Sequence, residues 1–129
     1  MARPSQIVRC LLLLAVVGCG QPTSPPEHRE PVEDLVRKLR DPQQSLAVHA
    51  EAIQVLGMKG AGSPEAVAAV ADALLAEKGS LARQSAVIAL RKMHATSALP
   101  KLREAAAQDA DPGVRQAAAA LVAELEKSP

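Results

Sequence analysis

Apolar residues recur with helical spacing through most of the chain after residue 31. In the segment 64–78, for example, Val67, Val70, Ala71 and Leu74 fall at positions i, i+3, i+4 and i+7, which lie on one face of an α-helix. Similar patterns elsewhere complete a set of six predicted helices, at residues 32–40, 48–59, 64–78, 82–93, 97–108 and 114–125.

Three of the predicted helices resemble one another in sequence. They are VHAEAIQVLGMK from Val48, ARQSAVIALRKM from Ala82 and VRQAAAALVAEL from Val114. Each has alanine at its fifth position and a branched aliphatic residue at its ninth, and each follows a shorter helix. The chain is therefore predicted to be all-α, a short α-solenoid of about three helical hairpins whose second helices line one face. A plain helical bundle is the alternative, and the recurring spacing argues against it.

Proline and glycine mark the expected helix ends. A capping side chain followed by a proline at the first helical position predicts helix starts at Asp41-Pro42, Ser63-Pro64 and Asp111-Pro112. Pro100 is expected in a first turn, and His94 at a helix end where it faces the helix dipole. Glycines predict helix stops at Gly79 and at either Gly57 or Gly60.

The strings DPGVRQAAAAL, residues 111–121, and ARQSAVIAL, residues 82–90, resemble the HEAT-like repeat family, and the resemblance extends over residues 32–127. It implies that Arg83 and Arg115 bond acidic or carbonyl groups in adjacent turns as a structural ladder, with Asp109 and Asp111 available to Arg83. The first copy departs from the pattern, because His49 stands where the other two have arginine.

Composition narrows the possible chemistry. The 129 residues are 48% hydrophobic but include no Phe, Tyr or Trp, so the core must consist of Ala, Leu, Val, Ile and Met. The formal net charge of +1 gives no electrostatic case for binding nucleic acid. No phosphate-binding loop, metal-ligand cluster or catalytic triad spacing is recognisable, so we expect no cofactor, no metal and no enzymatic activity.

The N-terminal residues predict export. Arg3 and Arg9 precede the apolar run LLLLAVV, which is too short to span a bilayer but typical of a signal peptide. The following Val16-Val17-Gly18-Cys19 resembles the bacterial lipobox. That resemblance implies a signal peptide over residues 1–18 and a lipid on Cys19, although an ordinary signal peptide with an incidental Cys19 remains the alternative.

A proline-rich segment follows the predicted lipid. Residues 19–31 comprise Cys19 and the string GQPTSPPEHREP, which predicts a semi-extended tether before a repeat domain at 32–129. We therefore expect a lipid anchor on the exported side of a membrane. Gly20 stands where an aspartate would favour inner-membrane retention, so the outer membrane is favoured if the organism is Gram-negative.

The predicted function is a protein–protein interaction or scaffold module in the cell envelope, with an unidentified protein partner. The expected partner surface is the row of second helices, comprising Glu51, Gln54, Ser85, Ile88, Lys92, Ala117, Ala120 and Glu124. An accessory or assembly subunit of an envelope complex is one alternative. A chromophore-lyase-like enzyme, which some HEAT-like proteins are, is another, but export and the lack of aromatic residues argue against it. Three repeats are about the minimum for stability, so weak homodimerisation through an end face is also possible.

Overall fold

A computed structural model describes residues 30–128, so the predicted signal peptide, Cys19 and nearly all of the tether lie outside the described residues. This part of the chain is all-α, with no strand in residues 30–128. It contains a short 3-10 helix at Thr96–Ala98 and six α-helices: α1 Val32–Arg40, α2 Leu46–Lys59, α3 Pro64–Ala76, α4 Ser80–Lys92, α5 Leu99–Gln108 and α6 Pro112–Lys127.

The helices form three hairpins that stack in chain order. Helix α1 pairs with α2, α3 with α4, and α5 with α6. The first helices α1, α3 and α5 pack in one row, and the second helices α2, α4 and α6 pack in another. This arrangement confirms the predicted short α-solenoid, in which each hairpin buries its apolar side against its neighbours.

The core consists of small and branched aliphatic side chains, as the composition requires. Its largest fully buried members are Ile53, Leu56, Leu74, Leu90, Leu102 and Leu121. Alanine is frequent in the core, and the alanines at the fifth position counted from Val48, Ala82 and Val114 are all buried: Ala52, Ala86 and Ala118.

Two of the three predicted serine or aspartate caps start a helix. The Ser63 hydroxyl accepts a hydrogen bond from the Ala66 N–H at 3.1 Å, and the Asp111 carboxylate accepts one from the Val114 N–H at 2.9 Å. Each cap satisfies one of the free N–H groups of a first turn and contributes about 1 kcal/mol to helix stability. Pro100 lies in the first turn of α5, as predicted.

The predicted helix start at Asp41-Pro42 is wrong. Asp41 instead ends α1, and its carboxylate accepts a hydrogen bond from the Gln43 N–H at 2.9 Å, which closes a turn. Helix α2 begins later, after Ser45, whose hydroxyl accepts from the Val48 N–H at 3.3 Å. The Asp41 carboxylate therefore stabilises a local turn after α1 and does not cap α2.

The glycines differ in part from the predicted helix stops. Gly60 ends α2, but Gly79 precedes the first residue of α4, and α3 has already ended at Ala76. Gly57 lies inside α2, where a Cβ atom would come within 2.9 Å of the Cα and Cβ atoms of Ala89. Gly57 therefore permits the close approach of α2 to α4 instead of ending a helix.

His94 lies just beyond the C-terminal end of α4. Its N–H donates to the Arg91 carbonyl and the Ala95 N–H donates to the Leu90 carbonyl, both at 3.1 Å. This bond pair is a Schellman motif, which places His94 in the left-handed region with φ of 48°. Glycine is the usual residue at that position, because other side chains are strained there.

Candidate functional site

The eight residues predicted as the partner surface occupy repeated positions on the second helices. Counted from Val48, Ala82 and Val114, they fall at the fourth, seventh and eleventh positions of each repeat. We call this surface the second-helix face. Ser85 and Ala117 are half-buried, and the other six are exposed: Glu51, Gln54, Ile88, Lys92, Ala120 and Glu124.

A groove lies on the second-helix face between α2 and α4. Its volume is about 200 Å³, and its walls are formed by Gln54, Met58, Ser85, Ile88, Ala89 and Lys92. Four of the eight predicted residues therefore meet at one concavity. The structure does not bring Glu51, Ala117, Ala120 or Glu124 into it.

Met58 is a groove residue that the sequence analysis missed. It occupies the eleventh position of the first repeat, which corresponds to Lys92 and Glu124 in the other two. The eleventh position had already been assigned to the face in the other two repeats, and applying it to the first repeat would have identified Met58. Its side chain is 64% exposed, and that of Ile88 across the groove is 50% exposed. Two large apolar side chains that face solvent at one concavity are typical of a binding surface.

The charged residues at the eleventh position of the second and third repeats differ in their partners. Lys92 is exposed at the groove and has no ion-pair partner within residues 30–128. Glu124 accepts a hydrogen bond from Arg91 at 3.1 Å between Nε and Oε2. That ion pair is solvent-exposed and contributes little to stability, but it links α4 to α6 at the edge of the face.

A row of cationic side chains runs along the edge where each first helix turns into its second helix. Arg83 donates from Nε and Nη2 to the two carboxylate oxygens of Asp109, at 2.8 and 3.0 Å. Its Nη1 donates to the carbonyls of Glu77 and Lys78, each at 3.0 Å. Arg83 thereby joins the loop of its own hairpin to the first helix of the next hairpin.

The ion pair between Arg83 and Asp109 is largely shielded from solvent, with side chains 13% and 6% exposed. Burial raises the pKa of Asp109, but hydrogen bonds from Arg83 and from the Asp111 N–H, together with the charges of Arg83 and Arg115, outweigh it. The net result is a pKa below the ordinary value. The hydrogen bond to Asp109 is the main reason that the pKa of Arg83 is raised, against the opposing effect of burial.

Asp111 does not contact Arg83. It caps α6 and accepts a hydrogen bond from Gln84 Nε2 at 3.2 Å, so it acts on Arg83 only through its charge. Arg115 donates from Nη1 to the carbonyls of Asp109 and Ala110, at 2.6 and 3.2 Å. The four predicted ladder residues thus lie together, but in different roles.

His49 takes the place of arginine in the first repeat, a role that sequence reasoning did not assign. Its Nδ1 lies 2.7 Å from Glu77 Oε1 and its Nε2 lies 2.9 Å from the Asp41 carbonyl. Each ring nitrogen therefore has an oxygen partner, one in the loop of its own hairpin and one at the end of α3. The alignment of His49 with Arg83 and Arg115 was the available signal.

A sequence model described as HEAT repeats matches residues 32–123 of the chain. The chain belongs to the HEAT-repeat family. HEAT repeats are protein-interaction or scaffold modules, in agreement with the stacked hairpins and with the groove on the second-helix face. No curated protein matches the chain.

The described residues include neither a cluster of metal-ligating side chains nor a membrane-spanning helix. Within residues 30–128, no group of three or more His, Cys, Asp or Glu side chains is placed to hold a metal ion. In the same range, no helix has the length and apolar character needed to cross a bilayer.

Proposed function

We propose that this HEAT-repeat protein is a lipid-anchored scaffold of the cell envelope, which binds another protein through its second-helix face. The anchor is the lipid on Cys19, and the proline-rich segment that follows holds the repeat domain away from the membrane. The support for the anchor is the string Val16-Val17-Gly18-Cys19 directly after a short apolar run.

The observation that carries the binding role is the groove between α2 and α4. Met58 and Ile88 present exposed apolar surface, and Lys92 adds a positive charge beside them. A partner with one or two apolar side chains and an adjacent carboxylate would complement both features. Burial of the apolar side chains would supply affinity, and the carboxylate would fix orientation.

Copurification from native membranes tests the binding role. The tagged full chain is compared with Ile88→Asp, which places a charge in the groove, and with Leu81→Asp as the control. Leu81 is 77% exposed on the same helix but does not line the groove. We expect a specific protein to be lost with Ile88→Asp and retained with Leu81→Asp. Retention with both variants would contradict the groove as the binding site.

The stoichiometry of the same complex separates two kinds of scaffold. A constant ratio of partner to this chain through purification would indicate an accessory subunit of an envelope complex. A ratio that falls on dilution would indicate a transient binder, because a weak complex dissociates as its components are diluted.

Fatty-acid labelling in cells tests the anchor separately. We expect radiolabelled palmitate to label the full chain and the Cys19→Ala variant to be unlabelled and absent from membranes. Equal labelling of both chains, or no labelling of either, would contradict lipidation at Cys19. Because Ile88 lies outside the anchor, Ile88→Asp should label normally.

A further inference from the structure

The ladder along the loop edge repeats one bonding pattern, with each cation bridging two hairpins. On one side, the cation donates to a backbone carbonyl in the loop of its own hairpin. On the other side, it donates to the acidic side chain that ends the first helix of the next hairpin. Arg83 does this with the Glu77 carbonyl and Asp109. His49 occupies the equivalent place, with Nε2 2.9 Å from the Asp41 carbonyl and Nδ1 2.7 Å from Glu77 Oε1.

Arg115 forms only half of this pattern. Its Nη1 donates to the carbonyls of Asp109 and Ala110 in its own loop, as Nη1 of Arg83 does in the preceding hairpin. Its Nε and Nη2, the two groups that in Arg83 hold a carboxylate, have no partner within residues 30–128. The C-terminal end of the stack therefore presents a guanidinium edge suited to one carboxylate.

Asp41 supplies a matching carboxylate at the N-terminal end. It ends α1 as Glu77 ends α3 and Asp109 ends α5. Its carboxylate accepts from the N–H two residues later at 2.9 Å, and the carboxylate of Asp109 does the same at 2.9 Å. Asp109 also receives Arg83, whereas Asp41 receives only the Gln44 side chain and no cation within the described chain.

We propose that a second copy of this chain stacks on the C-terminal end of the first, with Arg115 of one copy bonded to Asp41 of the next. The contact continues the ladder by one more step of the same kind. It joins different ends of the two copies, so it leaves a free Arg115 and a free Asp41 at the extremities. Association of this kind is open-ended and grows with concentration.

The first described residue lies on the edge opposite to the proposed contact. Asp41 and Arg115 both lie on the loop edge, where the turn inside each hairpin joins its first helix to its second. Glu30 lies at the opposite edge, where its carbonyl accepts a hydrogen bond from the Lys59 side chain at the C-terminal end of α2. The chain therefore enters α1 away from the proposed contact.

The side chains beside Arg115 indicate a weak, reversible contact. Counted from Val48 and Ala82, the sixth residue is Ile53 in α2 and Val87 in α4, both buried. In α6 the same position is Ala119, which is exposed, and Val122 at the ninth position is half-buried. A second copy would cover these residues, but the small alanine side chain offers less apolar area than its counterparts inside the stack.

Sedimentation velocity with interference optics tests the proposal, because the chain has no aromatic residues for absorbance at 280 nm. The chain from residue 20 to 129 is suitable, since every residue of the buried core lies between Leu35 and Leu125. We expect species larger than a dimer as its concentration rises. Arg115→Ala and Asp41→Asn should each weaken association by about tenfold or more. Circular dichroism verifies that each variant remains folded.

Mixing the two variants gives the sharpest result. Only one complementary pair of ends remains, Arg115 of the Asp41→Asn chain and Asp41 of the Arg115→Ala chain, so the mixture should form dimers and nothing larger. Arg91→Ala, which removes an exposed arginine away from the ends, is the matched control and should associate like the parent chain.

Two outcomes would overturn the proposal. One is a parent chain that stays monomeric at every concentration, and the other is Arg115→Ala associating as strongly as the parent. Arg115→Lys provides a second variant if alanine disturbs α6, because lysine keeps the charge but lacks the two parallel donors. Ile88→Asp should leave self-association unchanged, so failure of this proposal and failure of the groove are distinguishable.

Discussion

Replacing Arg83 by alanine removes the most shielded of the ion pairs that join the second hairpin to the third. The change deletes two hydrogen bonds to Asp109 and two to backbone carbonyls, and it leaves the Asp109 carboxylate shielded with only the Asp111 N–H as a donor. Removing one partner of a buried ion pair costs about 3–5 kcal/mol. Because Arg83 and Asp109 line one surface depression, water can partly hydrate the carboxylate once Arg83 is removed, so we expect about 2–4 kcal/mol here.

That loss is large relative to the whole stability of a small domain, which is about 5–15 kcal/mol. It corresponds to a fall in melting temperature of roughly 10–20 °C for a domain of this size. Urea and thermal unfolding followed by far-UV circular dichroism measure both quantities, since the six helices supply a strong signal without aromatic residues.

The control for Arg83→Ala is Arg91→Ala. Arg91 also pairs with an acid on the next hairpin, Glu124, but both side chains are exposed, so the expected cost is below about 1 kcal/mol. A double-mutant cycle of Arg83→Ala with Asp109→Asn should show that the two costs are not additive. If Arg83→Ala destabilised the protein no more than Arg91→Ala, the ladder would not be a structural element.

Three further predictions concern pH and backbone. The pKa of Asp109 is lowered in the folded state, so its stabilising contribution is present above the ordinary carboxyl pKa of about 4 and is lost as the pH falls through the folded value. In Asp109→Asn, the free energy of unfolding should therefore depend less on pH below about pH 4. Gly57→Ala should destabilise by about 1–3 kcal/mol in urea, since its Cβ would overlap Ala89, whereas Gly62→Ala, with open space around it, should not. His94→Gly should raise the melting temperature by relieving a left-handed residue, a gain of about 1 kcal/mol; no change would show that His94 is unstrained there.

The repeat was predictable because side chains at equivalent positions have the same packing requirements. Each second helix packs on two neighbours, so small and large apolar residues recur at fixed positions, and the register fixed the hairpins and their order. The same register places Arg83 and Arg115 at equivalent positions, where each donates to the carbonyls of its own loop.

The details that sequence reasoning missed depend either on a competing local turn or on neighbours distant in the chain. Asp41-Pro42 has the composition of a helix start, but a local turn satisfies the carboxylate first. Gly57 resembles a helix stop until Ala89 is found directly against it. Met58 is an ordinary core candidate by its chemistry; its repeat position indicates the second-helix face, and the position of α4 shows that it lines a groove.

Site-specific photocrosslinking in cells tests the proposed scaffold role most directly. A photoreactive residue at Ser85 lies in the groove, and one at Gln108, an exposed position outside the groove, serves as the control. We predict one dominant protein crosslinked from position 85, absent from position 108 and lost when Lys92→Glu reverses the charge beside the groove. An equal pattern from both positions, or no crosslink from position 85, would contradict the second-helix face as the surface through which this protein acts.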